Sequence, residues 1–276
     1  MTDIQTKSFR LVVESTEGVL ARLESMSPSD RSQVSPDWIA RVRSSPSADP
    51  WTHGFAMIDR DSGARIGSCG FKGPPGDGVV EIAYGVDEAF RGKGYATEAV
   101  QGITAFAFGR DGVTTVRAHT LPEPNASTRV LEKCGFRFAG LVVDPEDGPV
   151  WRWELDIVTY RTIETINRFN EAFNRHDVDG IMALMTNDCT FENTRPAPEG
   201  ERIQGDEAVR AFWDSFFERS PEARFRTEEI MAAGDRCVVR WRYDWVREGR
   251  PGHVRGVDVF RVREGKVAEK CSYVKG

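Results

Sequence analysis

Hydrophobic residues in the first half of the chain follow two spacings, one typical of strands and one typical of helices. Short apolar runs bounded by turn residues predict strands at Phe9–Val13, Phe55–Asp59, Ile66–Phe71, Val79–Val86, Thr114–His119, Phe136–Val143 and Val150–Leu155. A three- and four-residue spacing predicts helices that begin near Thr16 (as N-cap), Pro36, Ala96 and Ser127. This order, with one strand–turn–helix unit at its centre, predicts a mixed α/β domain.

The pattern changes at about Asp156. Helical spacing is seen from Ile163 to Phe173, near Ile181, and from Val209 to Phe217, where it carries a broad aromatic face. Long alternating strands follow without intervening helices, at Cys237–Val246, His253–Arg263 and Lys266–Val274. Helices followed by antiparallel strands predict an α+β domain, so we expect two domains, residues 1–156 and 157–276.

Composition narrows the class of protein. The 276 residues are 39% hydrophobic and 29% charged, and the net charge of −6 argues against a nucleic-acid partner, which would need a surplus of Lys and Arg. The sequence contains no run of about 18 apolar residues, so it predicts no membrane span. The first ten residues lack the apolar core of a signal peptide. The five cysteines are widely scattered and form no CxxC motif. We therefore expect a cytoplasmic protein with reduced thiols and no metal site.

The segment from Arg91 to Ala96, Arg-Gly-Lys-Gly-Tyr-Ala, lies between a predicted strand and a predicted helix. Glycines let backbone N–H groups approach a phosphate, and a helix N-terminus favours negative charge, so this turn predicts a pyrophosphate site. A P-loop requires Ser or Thr after its lysine, but Gly94 follows Lys93. A dinucleotide-binding turn requires glycine or alanine at position 97, where the chain has Thr97.

The remaining pattern, Arg-x-x-Gly-x-Ala, resembles the coenzyme A turn of the GNAT superfamily of N-acetyltransferases. Two blocks, VEIAYGV…RGKGYATEA from Val79 and PNASTRVLEKCGF from Pro124, are similar to its ribosomal-protein and small-molecule acetylating branch. This resemblance covers roughly residues 8–156. It implies acetyl-CoA as co-substrate, bound in part by the residues Gly85, Val86, Arg91, Gly92, Lys93, Gly94, Tyr95, Ala96 and Asn125.

The resemblance also implies catalytic roles. Two parallel strands, here Val79–Val86 and Thr114–His119, would part to admit the thioester. Glu81 is the candidate base, with the alternative of a structural carboxylate, and a backbone N–H near Gly85–Val86 is the candidate oxyanion donor. His119 is a second candidate base, with the alternative of a hydrogen-bonding residue at a strand end.

The resemblance also implies a proton donor for the departing thiolate. Many relatives carry a tyrosine where this chain has Leu131, which leaves Ser127 as the candidate acid or, alternatively, as a helix cap. Trp38, Trp51, His53 and Phe71 come from segments that wall the acceptor site in relatives, or else pack in the core.

Residues from about Thr162 to Lys275 resemble the NTF2-like, SnoaL-like superfamily, in which helices and a bent sheet enclose a conical pocket. The features that carry the likeness include the helix Asp206–Phe217 and the strand Gly256–Val262. In isomerases of that superfamily a carboxylate base works with a Tyr and a protonated Asp. The matching positions here are Asn193, Phe169 and Asp258, so only the Asp is kept. The candidate pocket residues are Glu192, Trp213, Tyr243 and Asp258.

Taken together, the sequence predicts an α/β plus α+β chain: a GNAT acetyltransferase fold followed by an NTF2-like cone-shaped α+β barrel. The expected activity is acetyl transfer from acetyl-CoA to a primary amine of a small molecule or peptide. We expect the second domain to bind a ligand or to form a homodimer. Two alternatives stay open, an acyl-CoA sensor without turnover, and a cyclase, hydrolase or dehydratase with its chemistry in the second domain. The sequence does not identify the acceptor.

Overall fold

The computed structural model describes residues 3–28, 31, 34–145, 147–222, 224–247 and 249–275. Contacts within the chain divide it into two compact units, Met1–Ile157 and Val158–Gly276. Among the helices in these described ranges, none combines the length and the apolarity that a bilayer crossing requires.

The first unit is built on one large sheet. Its strands are β1 (Ile4–Gln5), β2 (Phe9–Val13), β3 (Phe55–Asp59), β4 (Arg65–Phe71), β5 (Val79–Val86), β6 (Thr115–Thr120), β7 (Arg137–Asp144) and β8 (Gly148–Asp156). Within the described residues these eight strands pair in the order β1-β2-β3-β4-β5-β6-β8-β7. Neighbouring strands are antiparallel except β5 and β6, which run parallel.

The helices of the first unit are α1 (Thr16–Ser25), α2 (Pro36–Ser44), α3 (Pro50–His53), α4 (Tyr95–Phe108) and α5 (Ala126–Lys133). The predicted N-cap at Thr16 is wrong by one residue, because the Ser15 side chain accepts the hydrogen bond from Gly18 N–H. Thr16 Oγ1 instead lies 3.0 Å from His53 Nε2 and ties the start of α1 to the end of α3.

Helix α4 covers the central strands of the sheet. Its apolar face, including Ala99 and Ile103, is fully buried, and so is Val116 on β6. Burying a side chain the size of Ile103 contributes about 1.5–3 kcal/mol. A short 3₁₀ turn, Glu88–Phe90, and the segment from Arg91 to Gly94 connect β5 to α4, so this packing fixes both ends of the glycine-containing connection.

The described residues of the second unit form three helices and a six-stranded sheet. The helices are α6 (Ile157–Asn174), α7 (Val178–Ala183) and α8 (Asp206–Arg219), and the strands are β9 (Met185–Glu192), β10 (Arg202–Gln204), β11 (Arg224–Ala233), β12 (Arg236–Arg247), β13 (Arg250–Arg263) and β14 (Lys266–Val274). In the described residues the six strands pair in the order β10-β9-β14-β13-β12-β11. All pairs are antiparallel except β9 with β14.

The core of the second unit is a continuous cluster of aromatic rings between the helices and the sheet. Trp213 stacks on Phe191 with ring centroids 4.9 Å apart, and Phe173 meets Trp213 edge-on at 5.7 Å. Phe169 contacts Phe260 edge-on at 5.7 Å. These geometries are the favourable ones for aromatic pairs, and the rings form the interior of this unit.

Candidate functional site

Strands β5 and β6 separate part of the way along their length. Their parallel pairing stops at Ile82 opposite Ala118. Beyond this point β5 stays paired with β4 as far as Val86, while β6 stays paired with β8 as far as Thr120. The sheet therefore contains an opening between the C-terminal ends of these two strands, which we call the inter-strand gap.

Backbone N–H groups of β5 face this gap. The N–H of Lys72 donates to the carbonyl oxygen of Glu81 at 2.9 Å, so Glu81 bonds toward β4. Because successive residues of a strand bond to opposite sides, Gly85 also bonds toward β4, whereas the N–H groups of Tyr84 and Val86 point into the gap. The expectation of an oxyanion donor near Gly85–Val86 is therefore wrong for Gly85, whose N–H points to β4. Val86 N–H faces the gap.

The glycine turn leads from β5 into the first turn of α4. Gly92 and Gly94 adopt φ of +79° and +85°, and a Cβ on either would meet no atom within 4 Å, so glycine serves backbone conformation here and not space. Gly94 is the N-cap of α4 and supplies no side-chain cap. The first N–H groups of α4 have no intrahelical acceptor and are available to an anion.

Two basic side chains flank this turn. Arg91 is exposed and its Nε donates to the Val86 carbonyl at 3.3 Å, while Lys93 Nζ lies 5.4 Å from the centroid of the Phe90 ring. The ring of Tyr95 packs edge-on against Phe9 at 5.9 Å, so Tyr95 offers a ligand its backbone. Both cations are placed to neutralise a phosphate bound at the start of α4.

Glu81 lies at the centre of a charged cluster on the sheet. Lys72 Nζ is 2.9 Å from Glu81 Oε1 and 3.5 Å from Asp147 Oδ2. Burial lowers the pKa of Lys72, but the hydrogen bond and the charge of Glu81 outweigh it, so this pKa lies above its ordinary value. The cluster therefore holds Glu81 beside a cation that keeps its proton at neutral pH.

His119 completes this cluster from β6. Its Nδ1 is 3.2 Å from Glu81 Oε1 and 3.7 Å from Asp144 Oδ2, and its side chain is only 8% exposed. Arg152 Nε donates to His119 Nε2 at 3.3 Å. An arginine is always a donor, so Nε2 acts as acceptor and the ring proton is on Nδ1, facing the carboxylates. This arrangement corrects the role of His119 as a free base, because Nε2 accepts from Arg152 and Nδ1 is buried, without a hydrogen-bond partner among the described residues.

Tyr84 and Ser127 meet beside the gap. The Tyr84 hydroxyl donates to the carbonyl oxygen of Ser127 at 3.3 Å, in the first turn of α5. Burial raises the pKa of Tyr84 to about 12. The structure therefore places two hydroxyl-bearing residues at the position where the sequence offers only Ser127.

The cap of α5 is formed by Asn125 and Thr128. Asn125 Oδ1 accepts from Thr128 N–H, Thr128 Oγ1 accepts from Asn125 N–H, and Asn125 Nδ2 donates to the Glu123 carbonyl. Ser127 therefore does not cap this helix, and the Asn125 side chain is engaged within the protein rather than free for a coenzyme. Leu131 is fully buried and lies in the core.

A cavity of about 480 Å³ opens on the β4–β5 side of the cluster. Its lining includes Trp38, His53 and Phe71, three of the residues expected there, together with Lys72 and Tyr84. The fourth expected residue, Trp51, packs against Phe71 and Phe106, with ring centroids 4.5 and 5.5 Å away.

Glu14 closes one wall of this cavity as a buried ion pair. Its carboxylate accepts from Arg65 at 2.7 and 3.3 Å and lies 3.4 Å from Arg22. His53, at the same wall, accepts from Asp49 N–H through Nδ1 and therefore presents its Nε2 proton to Thr16.

In the second unit a buried ion pair lies among the aromatic rings. Lys270 Nζ is 2.8 Å from Asp258 Oδ2 and donates to Ser272 Oγ at 2.6 Å. The same ammonium lies 4.9 Å from the Phe191 ring centroid and 5.6 Å from that of Phe260. Asp258 is 2% exposed, and its Oδ1 has no hydrogen-bond partner among the described residues.

Comparison with known proteins finds a family match in each of the two units. Residues 13–137 match the family model of the acetyltransferase (GNAT) domain, and residues 166–270 match that of the SnoaL-like domain. The chain is therefore similar to a GNAT domain over its first part and to a SnoaL-like domain over its second. The expected fold class is confirmed, and so is the resemblance at the level of the two families.

Individual relatives cover only parts of the chain. An uncharacterized N-acetyltransferase of Bacillus subtilis, YjdG, is 33% identical over 31% of this chain and 53% of its own length. An uncharacterized N-acetyltransferase of Bacillus licheniformis, p20, is 32% identical over 33% of this chain and 52% of its own. The chain thus spans about half the length of these curated relatives. A solved NTF2-like protein of unknown function from Mesorhizobium loti is 39% identical over 44% of this chain and 97% of its own, with a TM-score of 0.40.

The SnoaL-like domain brings three of its four expected pocket residues to one side of the sheet. Trp213, Asp258 and Tyr243 all lie on or in the aromatic cluster, Tyr243 with its ring 6.1 Å from that of Phe216. The expectation that Glu192 lines the pocket is wrong. Glu192 follows Phe191, whose ring lies inside, and successive side chains of a strand point to opposite faces. Glu192 therefore lies on the opposite face of β9.

Lys270 is the residue of this domain that sequence reasoning missed. Strict alternation from the buried Val267 would direct residues 269 and 271 inward. Register shifts between Val267 and Glu269, and between Arg261 and Val262, change the phase, so that Lys270 faces the interior. A β-bulge has no distinct sequence pattern within a run of polar residues, so alternation alone does not predict that Lys270 faces the interior.

Lys270 also decides what Asp258 can do. The oxyanion-hole aspartate of a steroid isomerase must be protonated in order to donate a hydrogen bond. In this chain Asp258 Oδ2 is instead paired with the Lys270 ammonium, 2.8 Å away, inside the aromatic cluster. The positions of its two partners carry Asn193 and the fully apolar Phe169, which is 1% exposed. The SnoaL-like domain therefore lacks the parts of that isomerase site.

Proposed function

We propose that the chain transfers an acetyl group from acetyl-CoA to a primary amine at the inter-strand gap of the GNAT domain. The observation that supports this most is the continuity of β5. The strand leaves its partner after Ile82, exposes the N–H groups of Tyr84 and Val86, and leads through the glycine turn to the uncapped start of α4. A pyrophosphate at the turn and a thioester in the gap would thus be held by one segment.

In this proposal the coenzyme contacts follow from the turn. Backbone N–H groups at Gly92, Gly94, Tyr95 and Ala96 would bind the pyrophosphate, with Arg91 and Lys93 adding positive charge. Val86 N–H would stabilise the oxyanion that forms when the amine attacks the thioester. Asn125 is left out, because both ends of its side chain are used in the cap of α5.

Glu81 is the proposed base, acting directly or through a water molecule. It is the carboxylate on β5, and Lys72, its ion-pair partner, lines the cavity in which an amine would bind. His119 acts as a positioning residue, because its Nδ1 lies 3.2 Å from Glu81 Oε1 and its Nε2 accepts a hydrogen bond from Arg152. General bases of this kind contribute about 10²–10⁴-fold to a rate.

The cavity supports an acceptor with both polar and apolar parts. Trp38 and Phe71 offer rings, whereas Asp37, Arg41 and Asp147 offer charges of both signs. Antibiotic amines, polyamines, amino acids and peptide N-termini all meet this description. We also propose that the domain belongs to the ribosomal-protein and small-molecule acetylating branch, on the blocks that begin at Val79 and Pro124.

The SnoaL-like domain is proposed as an accessory domain of a cytoplasmic homodimer that binds a ligand or forms the dimer contact. Its aromatic interior and the charge-paired Asp258 support this role over proton-transfer chemistry. Light scattering after size-exclusion chromatography tests the dimer, since a mass near 31 kDa at micromolar concentration would contradict it.

Calorimetric titration with acetyl-CoA is the first test, with desulfo-CoA and adenosine diphosphate as companion ligands. We expect micromolar binding of acetyl-CoA and desulfo-CoA and weaker binding of the diphosphate, which lacks the part of the coenzyme that enters the gap. A folded protein that binds none of the three would contradict the proposal.

Turnover separates an enzyme from a sensor. Release of free CoA is measured with spermidine, kanamycin, an equimolar amino-acid mixture and a peptide with a free N-terminus. Glu81→Gln should lower the rate about 10²-fold with acetyl-CoA affinity unchanged, whereas Glu17→Gln, an exposed residue of α1, serves as the control. Binding without turnover on any amine would favour the acyl-CoA sensor.

A further inference from the structure

Acetyl transfer leaves a thiolate on coenzyme A that needs a proton. The amine nitrogen bonds to the acetyl carbon, the carbon–sulfur bond breaks, and the nitrogen's proton passes to Glu81. An acid beside the sulfur lowers the cost of the charge that develops there. The position that supplies this acid in many relatives carries Leu131, which is apolar and fully buried, so the donor must come from elsewhere in this chain.

Tyr84 has the placement that this role needs. It follows Ile82, the last residue of β5 paired with β6, by two positions, and so it lies at the mouth of the inter-strand gap. Glu81 lies three positions earlier, so its side chain is on the opposite face of the strand. An acid and a base on opposite faces of one strand can act on the two sides of a thioester held between them.

The Tyr84 hydroxyl reaches across to α5. It donates to the Ser127 carbonyl at 3.3 Å, a distance at the long end for such a bond, and the side chain also lines the acceptor cavity. The hydroxyl is therefore positioned between the cavity and the gap, with a proton that it can redirect to another acceptor by rotation about the C–O bond. The carbonyl, and not the side chain, of Ser127 holds it.

We propose that Tyr84 is the acid that donates a proton to the sulfur of coenzyme A. The inference rests on the proposed acetyl transfer. In the full step the phenol proton goes to sulfur, water returns a proton to the phenolate, and Glu81 releases the amine's proton to water, so that the products are the acetamide and free CoA thiol.

Burial of Tyr84 affects its role as an acid in two opposite ways. The pKa of Tyr84, raised to about 12 by burial, keeps the phenol protonated at neutral pH. A phenol this weak transfers its proton to a thiolate uphill, since a free thiol has a pKa of about 8.5. Its contribution is therefore a hydrogen bond that strengthens as charge builds on sulfur, with proton transfer completed as the thiol departs.

Tyr84→Phe tests the proposal, because it removes the hydroxyl and keeps the ring. The probe is hydroxylamine, a nucleophile small enough to need no acceptor recognition, with CoA release followed at saturating acetyl-CoA. We expect an about 10²-fold lower kcat and an acetyl-CoA affinity within about twofold of wild type, a change of about 0.4 kcal/mol or less. Tyr273→Phe, half-exposed on β14, is the matched control.

A second readout distinguishes acid catalysis from a structural role. A ring-fluorinated tyrosine at position 84 keeps the hydroxyl and lowers its pKa, so kcat should change with the acidity of the phenol, which a structural hydrogen bond would not require. Tyr84→Phe with more than half of the wild-type kcat would overturn the inference and leave acetyl transfer intact. A Ser127→Ala variant that loses more rate than Tyr84→Phe would also overturn it. Wild-type protein that releases no CoA above the buffer rate would overturn both.

Discussion

The Nε of Arg152 lies 3.3 Å from Nε2 of His119, and this contact determines which ring nitrogen carries the proton. Because the guanidinium can only donate, Nε2 accepts and Nδ1 holds the hydrogen, 3.2 Å from Glu81 Oε1. A residue on β8 thereby orients a residue on β6 toward a carboxylate on β5. These contacts cross the sheet at the point where β5 and β6 part, since His119 directly follows Ala118, the last residue of β6 that pairs with β5.

This contact predicts the tautomer of His119. In ¹⁵N-detected spectra of the imidazole groups at pH 8, Nδ1 of His119 should show the shift of a protonated nitrogen and Nε2 that of an unprotonated one. Arg152→Met should remove this preference, because the competing Nε2–H form then loses no partner. With four histidines in the chain, His119→Asn assigns the signal. A wild-type ring protonated on Nε2 would contradict the geometry.

The glycine turn predicts a loss of coenzyme affinity on adding one methyl group. Gly94→Ala places a Cβ at φ +85°, which costs about 1–2 kcal/mol and disturbs the N–H groups at the start of α4. We expect acetyl-CoA affinity, measured by calorimetry, to fall about tenfold, equal to about 1.4 kcal/mol. Gly112→Ala is the matched control, because Gly112 has φ +83° and equally open surroundings. Equal affinities in the two variants would show that the turn does not bind the coenzyme.

The buried pair in the SnoaL-like domain predicts a strong asymmetry between single and double variants. Asp258→Asn or Lys270→Met alone leaves a buried charge or polar group unpaired and should lower the free energy of unfolding by about 3–5 kcal/mol. The double variant removes both charges and should recover the part of this loss that comes from leaving one charge unpaired. Urea unfolding followed by tryptophan fluorescence measures all three.

An exposed pair provides the comparison for these variants. Arg210 and Asp179 lie 2.6 Å apart at the surface, so Asp179→Asn should cause little measurable change. Single variants as stable as wild type would show that Asp258 and Lys270 are solvated in solution.

The raised pKa of Lys72 predicts how its contribution depends on pH. A group whose pKa is higher in the folded state stabilises fully below its unfolded pKa, about 10.4 for lysine, and loses this effect as pH rises through the folded value. The stability difference between wild type and Lys72→Met should therefore be constant from pH 7 to 9 and shrink above pH 10. Urea titrations across this range test the sign. A difference that grows with pH would contradict the Lys72–Glu81 pair.

Most elements of the fold follow from hydrophobic spacing. The strand at Val79–Val86 and the helix that carries Ile103 are found where the sequence predicts them, because packing and local preference agree there. Strands β9, β10 and β11 are not predicted. β11 is mostly exposed along Arg224–Ala233, and β10 has three residues, so neither shows an apolar alternation. Such strands form because β12 and β9 offer them an edge to pair with.

The candidate site is less predictable than the fold, for reasons that differ from residue to residue. The turn at Gly92 and Gly94 can be predicted from the sequence, because only glycine adopts its positive φ angles at little energetic cost. Lys72 and Tyr84 carry no local signal, since one acts through a cross-strand ion pair and the other through a contact 43 residues away in the chain. Tertiary pairing alone brings these groups together.

The parting of β5 and β6 has a consequence for the lifetime of the protein. A free strand edge inside a sheet leaves the N–H groups of Tyr84 and Val86 to water and gives other chains a place to pair. A ligand that fills the gap satisfies these groups in the native state alone, so at a concentration of 100 Kd it would stabilise the fold by about 2.7 kcal/mol. The concentration of the coenzyme would then set the fraction of this protein that stays folded, whatever the rate of acetyl transfer.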